Sequence, residues 1–596
     1  MRASVRWLLC VCCLLCPLFS IAETSTLLHV QNNSPYQATY KLALTSNQTF
    51  DTDATQDLLK AHLTIHEAID NARLNQAEWL RLVQETPKEI KALLETEGYF
   101  SAEVHIEPSP PNTAVFVITP NARTLVQDVS LIFNGDIAYA PEEQTPSSNT
   151  LKQSWLLPQG TAFTQQGWSE AKRGLLTALL SERYPNAKLT SSQATIDPET
   201  HQAKLNVVID SGPSIKLGEV VIEGLNHYPE SLIRNINPIT PGTPYSQSTL
   251  LKFQNTLQET GKFNRVTVSA ATQVPNQDGL TDVIVDVRER EQNSMSIGVG
   301  ASTNTGARVV LNYTDRNLFS RGLLWDTSLR LEQRLQAATS SIKLITDASG
   351  YRDSINNSLV RTNLEGQITT AINNGVKRSW GDRNFEQFVG ANLLYEFLTI
   401  DGESTEFNKA ATFAYGLSLR RLDHDLIPTK GIIFSTQFQV APIERLSDGR
   451  FLQSQAKLQG FYPLGDSTQF LGRLEAGVVT GSDSVPATYL FRAGGDQSVR
   501  GYAFQALGIK DGDAILGGRV LLTGSTELVQ WFTSSWGGAA FVDFGNAANT
   551  WHDYKPAFGY GLGVRWKSPV GPVGADIAYG EETKDYRLHF NLGVSF

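Results

Sequence analysis

Tyr586-Arg587-Leu588-His589-Phe590-Asn591-Leu592-Gly593-Val594-Ser595-Phe596 is the segment whose reading decides the fold. Tyr586, Leu588, Phe590, Leu592, Val594 and Phe596 are apolar, and the residues between them are not. Successive side chains of a β-strand point to opposite faces, so this strand has one greasy face and one wet face. Its eleven residues suit a tilted strand crossing a bilayer. The aromatic at its end is the expected sorting feature of such a strand, and Gly593 is expected to soften it, because glycine weakens strand interiors.

The pattern repeats upstream. Phe558, Tyr560, Leu562, Val564 and Trp566 alternate with Gly559, Gly561, Gly563, Arg565 and Lys567. After the turn Ser568-Pro569-Val570-Gly571-Pro572, the residues Val573, Ala575, Ile577 and Tyr579 alternate with Gly574, Asp576, Ala578 and Gly580. Ser294–Thr303 and Ala307–Phe319 show the same period less cleanly. Aromatics near strand ends are expected to form the girdles of a transmembrane barrel. From Glu291 to Phe596 there are about 305 residues, room for about 16 strands at ~10 residues each with their turns. A soluble β-sandwich also alternates, but so many exposed aromatic faces on an exported chain would aggregate.

Export is expected from the start of the sequence. Arg2 and Arg6 flank the apolar run Trp7–Phe19, and Ser20-Ile21-Ala22 offers small residues for cleavage, which predicts a signal peptide over 1–22. The run is shorter than the roughly 20 residues of a spanning helix. All four cysteines (Cys10, Cys12, Cys13, Cys16) lie inside it. The processed chain is thus expected to carry no disulfide, thiolate metal site or cysteine nucleophile. A net charge of −10 argues against nucleic-acid partners.

The N-terminal half shows a faint repeat at a period of roughly 80–90 residues. Helical stretches end at Leu93–Phe100, Leu179–Pro185 and Leu257–Phe263. Apolar runs Ala114–Ile118, Leu205–Ile209 and Val283–Val287 close each unit. Leu125-Val126-Gln127-Asp128-Val129 matches Leu217-Gly218-Glu219-Val220, and Asn134-Gly135 matches Glu223-Gly224. Each unit reads as strand, two helices, two strands, a small α+β domain. The expected boundaries are 23–121, 122–213 and 214–290, ahead of a barrel over 291–596.

Parity supplies candidate lumen residues. Phe541 and Asp543 share a face opposite the apolar Ala540, Val542 and Phe544, so both point inward. Glu527 falls on the inward face of its own strand. An arginine inside a barrel needs a paired acceptor, since an unpaired buried charge costs several kcal/mol.

This order of parts resembles the outer-membrane insertase and transporter superfamily in which POTRA (polypeptide-transport-associated) repeats precede a 16-stranded antiparallel transmembrane β-barrel. The resemblance rests on Val499-Arg500-Gly501-Tyr502, Phe491-Arg492-Ala493-Gly494-Gly495, Phe541-Val542-Asp543-Phe544-Gly545, and the hairpin around Ser568–Pro572 with Asp576. Asp423 with Pro428 and Gly431, and Asn317-Leu318-Phe319 with Gly322, are weaker signatures. It implies that Arg500, Gly501 and Tyr502 form the tip of a loop folded into the lumen. There Arg500 is expected to reach Glu527 and Asp543 and to pack on Phe541. It also implies a weak seam between the first and last strands.

Three repeats and this length resemble the TamA-type members, outer-membrane subunits of a translocation and assembly module. That branch implies a TamB-type inner-membrane partner. It also implies autotransporters and other outer-membrane proteins as clients, contact with outer-membrane lipid, and periplasmic repeats. A two-partner secretion pore is the alternative, though such pores usually carry two repeats behind a plug helix. A passive porin would leave the repeats without purpose. Neither Gly-x-Ser-x-Gly, His-Glu-x-x-His nor a P-loop occurs, and the nine histidines form no ligand cluster. No enzymatic activity, cofactor or metal is expected.

Overall fold

The computed structural model describes residues 24–25, 37–45, 52–69, 71, 73–272, 279–302, 304–401, 403–569 and 571–592. The expected signal peptide and Gly593, Val594 and Phe596 of the closing strand lie outside these residues.

The leading repeat is a sheet in the order Thr24–Ser25, Thr39–Thr45, Thr113–Thr119, Glu103–Glu107. Thr39–Thr45 runs parallel to Thr113–Thr119, and Glu103–Glu107 antiparallel to it. The helix Gln76–Thr96 begins at Asn75, whose side chain accepts a hydrogen bond from the Glu78 N–H, satisfying one of the free amides of a helix start. Trp79, Leu82, Ile90 and Leu94 recur at helical spacing and are buried with Tyr40, Leu42, Phe116 and Ile118 of the sheet.

Two helices were expected here, and there are three: Thr52–His62, Thr64–Ile69 and Gln76–Thr96. Leu59, Leu63, Ile65 and Ile69 are all fully buried. In one continuous helix Leu63 and Ile65 would point roughly 200° apart. The break after His62 lets both pairs face the core.

The second repeat orders its sheet Leu125–Asn134, Gln202–Asp210, Lys188–Asp197. The helix Gln165–Ser181 is capped by Thr164 and buries Trp168, Ala171, Leu175 and Leu179. A third three-stranded sheet has the order Leu217–Glu223, Thr281–Glu289, Phe263–Ala270. In each repeat the run that closes the unit occupies an inner position of the sheet. That position is covered on both edges, which is why these runs are the most apolar.

Sixteen strands from Asn293–Ser302 to Asp585–Leu592 form one antiparallel sheet in strict sequence order. Apolar residues alternate along them. Ile355, Leu359, Leu393, Tyr395, Leu562, Val564 and Ile577 are exposed on the outer face, while Asn356, Ser358, Asn392, Arg565 and Asp576 share the opposite parity. Short turns alternate with longer connections, the longest joining Thr468–Gly481 to Val520–Trp531. Among the described residues no helix is long and apolar enough to cross a membrane.

Candidate functional site

The long connection 482–519 folds into the lumen, and its root is held first. Glu396, fully buried on the seventh barrel strand, accepts from the N–H groups of Ala487 (2.8 Å) and Thr488 (2.7 Å) and from the Thr488 hydroxyl (2.6 Å). Phe491 pairs with Gly518, and Ala493 with Leu507, as isolated bridges. Tyr489, Phe491, Val499, Tyr502 and Leu507 pack with Leu394, Phe451 and Leu521 of the wall. The loop thus fills part of the lumen with its own apolar side chains, packed against those of the wall.

At the tip, Arg500 is 3% exposed. Its Nε donates to Asp543 Oδ2 at 2.7 Å and its Nη2 to Asp543 Oδ1 at 2.9 Å. This fork-to-fork geometry is the strongest that a guanidinium makes with a carboxylate. Nη1 donates to Glu527 Oε2 (2.8 Å) and Asp576 Oδ2 (3.0 Å), and Nη2 also to Ser525 Oγ (3.2 Å). The guanidinium carbon lies 3.3 Å from the centroid of the Phe541 ring. Arg565 donates to Glu527 Oε1 at 2.7 Å and Asp576 Oδ1 at 2.6 Å. Two guanidinium groups therefore share three carboxylates, each carboxylate buried.

Register explains how these residues meet. Ser525, Asp543 and Gly559 are cross-strand neighbours on the inward face, as are Glu527, Phe541 and Gly561, and Gly563 and Asp576. The three glycines make the room. A Cβ on Gly559 would overlap the Arg500 carbonyl oxygen, one on Gly563 would overlap the Asp576 carboxylate, and one on Gly561 would press on the Phe541 ring.

Gly501 adopts φ +95° and lies so close to the Tyr579–Gly580 backbone that a Cβ would sit 2.7 Å from the Gly580 nitrogen. Both facts require glycine. Its N–H donates to His589 Nε2 at 3.0 Å, which ties the loop tip to the closing strand. The Tyr502 hydroxyl donates to the Phe558 carbonyl (3.0 Å) and accepts from the Glu582 N–H (3.1 Å). The tip thus bonds to each of the last five strands or the turn between them.

All six loop-to-lumen residues named from the sequence are brought together: Arg500, Gly501, Tyr502, Glu527, Phe541 and Asp543. Sequence reasoning missed Arg565, Ser525 and His589, and it placed Asp576 in a hairpin signature rather than in the cluster. The available signal was parity, since Arg565 and Asp576 both lie on inward faces already identified. Glu396 carried no such signal.

The closing strand pairs with Gly571–Gly580 along Asp585–Leu592. Tyr586, Leu588 and Phe590 point outward and are 73%, 58% and 61% exposed. On the first strand Met295, Ile297 and Val299 reach 63%, 68% and 84%. Leu393 and Tyr395, in mid-wall, are 47% and 41% exposed. Exposure alone does not single out the terminal strands, since Leu562, on a strand paired along both edges, reaches 64%; what does is that each is paired along one edge only among the described residues.

A model of the Omp85 superfamily domain matches residues 291–596, and a POTRA model, described as a surface antigen variable number repeat, matches residues 215–290. The chain is similar to outer membrane protein assembly factor BamA of Nitratidesulfovibrio vulgaris, 25% identical over 455 residues, covering 68% of this chain and 54% of that protein. It is also similar to BamA of Neisseria meningitidis serogroup B, 22% identical over 513 residues, covering 72% and 63%. The chain therefore spans between about half and three-fifths of the length of these relatives. Among solved structures, BamA from Haemophilus ducreyi lacking POTRA domains 1–3 superposes with a TM-score of 0.62 at 18% identity, covering 79% of this chain and 100% of that one. That likeness is one of fold.

Proposed function

This chain belongs to the Omp85 superfamily, and from that premise we propose that its barrel inserts or translocates other outer-membrane proteins by lending them the edge of its own seam. The protein is an outer-membrane β-barrel with POTRA repeats in the periplasm. The observation that carries the reading is that, among the described residues, the two terminal strands are each paired along one edge only. A strand paired along one edge presents unused N–H and C=O groups, a ready template for an incoming strand. The loop tip supports it, because the Gly501–His589 bond links the folded-in loop to the very strand that would have to move.

Within that reading we place the protein in the TamA-type branch. Autotransporters and other barrel proteins would be its clients, a TamB-type inner-membrane protein its partner, and outer-membrane lipid its surroundings. Three small α+β repeats in front of the barrel support this branch.

The test is the folding rate of a client barrel in liposomes containing the protein, compared with a seam-locked Ile297→Cys/Leu588→Cys variant. Acceleration that disappears on oxidation and returns on reduction supports a lateral seam. No acceleration across several clients, together with a large steady ion conductance, favours a two-partner secretion pore instead.

A further inference from the structure

On the outer face of the early wall one row of side chains is polar. Thr327 pairs with Ser340, Ser340 with Asn357, and Asn357 with Asn374. The row on one side of it reads Leu329, Ala338, Leu359, Ile372, Tyr395, and on the other Trp325, Ile342, Ile355, Val376, Ala391. Leu329, Leu359, Ile372, Ile355 and Val376 are exposed outward, and residues of the same parity share that face. The row therefore points at lipid.

Its depth follows from the charges above and below. Along one strand Asn357 lies midway between Asp353, ion-paired with Arg378, and Arg361. Those two are about 26 Å apart along the strand at a rise of ~3.3 Å per residue, or about 20 Å along the membrane normal at a tilt of roughly 35–45°, a span that lies within the ~25 Å apolar band of a transmembrane barrel. The amides thus sit near the middle of the hydrocarbon. On the late wall the corresponding row is Ala540, Leu562, Ile577 and Leu588, apolar throughout.

The stripe is not satisfied internally. Ser340 accepts from the Trp325 indole N–H at 2.8 Å, and Thr327 Oγ1, itself buried in the wall, has no hydrogen-bond partner among the described residues, so the open groups of the row are the two amides. Asn357 and Asn374 are both exposed, and neither amide makes a hydrogen bond among the described residues. In hydrocarbon no water supplies the missing bonds, and polar side chains at such positions act as glue between membrane-embedded elements.

We propose that this stripe is a self-association surface, and that its occupant is a second copy of this chain. A primary amide carries both donors and an acceptor, so a pair of asparagines is complementary to itself. Two copies inserted with the same orientation can be related only by an axis along the membrane normal. A two-fold axis there makes an isologous contact in which Asn357 of one copy meets Asn374 of the other. Barrel strands tilt by roughly 35–45°, so two such walls cross at a single place. With the amides at the crossing, Ile355, Leu359, Ile372 and Val376 pack around it.

The test uses the full chain in its own membrane. Two differently tagged copies are co-expressed, extracted together with lipid in polymer-bounded discs, and captured by one tag. The expected result is co-capture of the second tag, falling at least tenfold in Asn357→Leu/Asn374→Leu. Heat-modifiable gel migration is expected to show that both forms are folded. Co-capture that persists in the leucine variant overturns the proposal, as does its absence in the native protein. A cross-link from Asn357 to a different membrane protein, with no co-capture of the second tag, also overturns it in favour of a foreign partner.

Discussion

Each half of the barrel wall is held by one buried cation, and the two are held in different ways. On the late wall Arg500 is forked onto Asp543 and shared with Glu527 and Asp576. At the end of the early wall Lys262, from the segment in front of the barrel, donates to the carbonyls of Gly322 (2.6 Å) and Arg316 (3.0 Å). Its ammonium lies 5.3 Å from the centroid of the Tyr228 ring. Among the described residues no carboxylate stands within ion-pair distance of it. Burial, followed by the charge of Arg316, pushes its pKa down from 10.5 to about 8. A guanidinium stays charged at any accessible pH, whereas a desolvated ammonium can lose its proton. The late wall is thus locked by a permanent charge with matched countercharges. The early wall rests on a charge that the fold would rather not carry.

The contrast breaks first at Arg500. Arg500→Ala leaves Glu527 and Asp576 with Arg565 and takes from Asp543 the ion pair it makes with Arg500, and removing one member of a buried ion pair costs about 3–5 kcal/mol. Urea unfolding of the barrel in lipid, followed by tryptophan fluorescence, is expected to show that loss. Arg500→Lys is expected to recover only part of it, since a point charge cannot reproduce the fork. A loss below about 1 kcal/mol for the alanine variant would mean that the loop is held by Glu396 and its apolar packing instead.

Lys262 gives the opposite pH signature. Its folded pKa is depressed, so between about 8 and 10.5 the unfolded chain binds more protons than the folded one, and stability rises with pH there. Below about pH 8 the folded and unfolded chains both carry the proton, so the full penalty is present and does not change with pH. The swing is about 3 kcal/mol at ~1.4 kcal/mol per pKa unit. In Lys262→Met the rise is expected to vanish, so the stability difference between variant and native protein should shrink steadily above pH 8. A difference independent of pH would show that Lys262 is already neutral or already paired.

The late wall was far more legible in the sequence than the early one, and the reason is physical. In Ala557–Ser568 and Gly571–Gly580 the inward residues are mostly glycine or charged and the outward ones aromatic or aliphatic, so alternation is sharp. In Arg352–Leu364 and Gln367–Gly381 both faces carry asparagine, serine or threonine. Asn357 and Asn374 blur the period for the same reason that they are informative. Lys262 could not be found at all, because its environment is made by the carbonyls of Arg316 and Gly322, and backbone groups leave no trace in side-chain pattern. The third helix of the first repeat was hidden likewise, since Leu63 and Ile65 look like one helical face slightly out of phase.

A smaller effect tests whether the late cluster depends on empty space as much as on charge. Gly559→Ala places a methyl group against the Arg500 carbonyl, which is backbone and cannot swing aside. Overpacking of this kind costs about 1–3 kcal/mol. Gly460→Ala, where a Cβ meets nothing within 4 Å, is the expected silent control. Equal effects from the two would show that the inward glycines act through strand propensity rather than through room for the loop.

The smallest effect is the most discriminating, because the early wall holds a geometric copy of the late wall's central pair. Arg378 Nε and Nη2 donate to Asp353 Oδ1 and Oδ2 at 2.8 and 2.7 Å, the same fork that joins Arg500 to Asp543. Only the surroundings differ: Arg378 and Asp353 keep 50% and 33% of their side-chain surface exposed, against 3% and 0% for the lumen pair. Water and headgroups at the rim screen the outer pair, so Asp353→Asn is expected to cost about 0.2–1 kcal/mol, several-fold less than Arg500→Ala, in the same unfolding assay. A loss comparable to that of Arg500→Ala would place the outer pair inside hydrocarbon rather than at its rim. The polar stripe at Asn357 and Asn374 would then lie off the midplane, nearer the opposite surface.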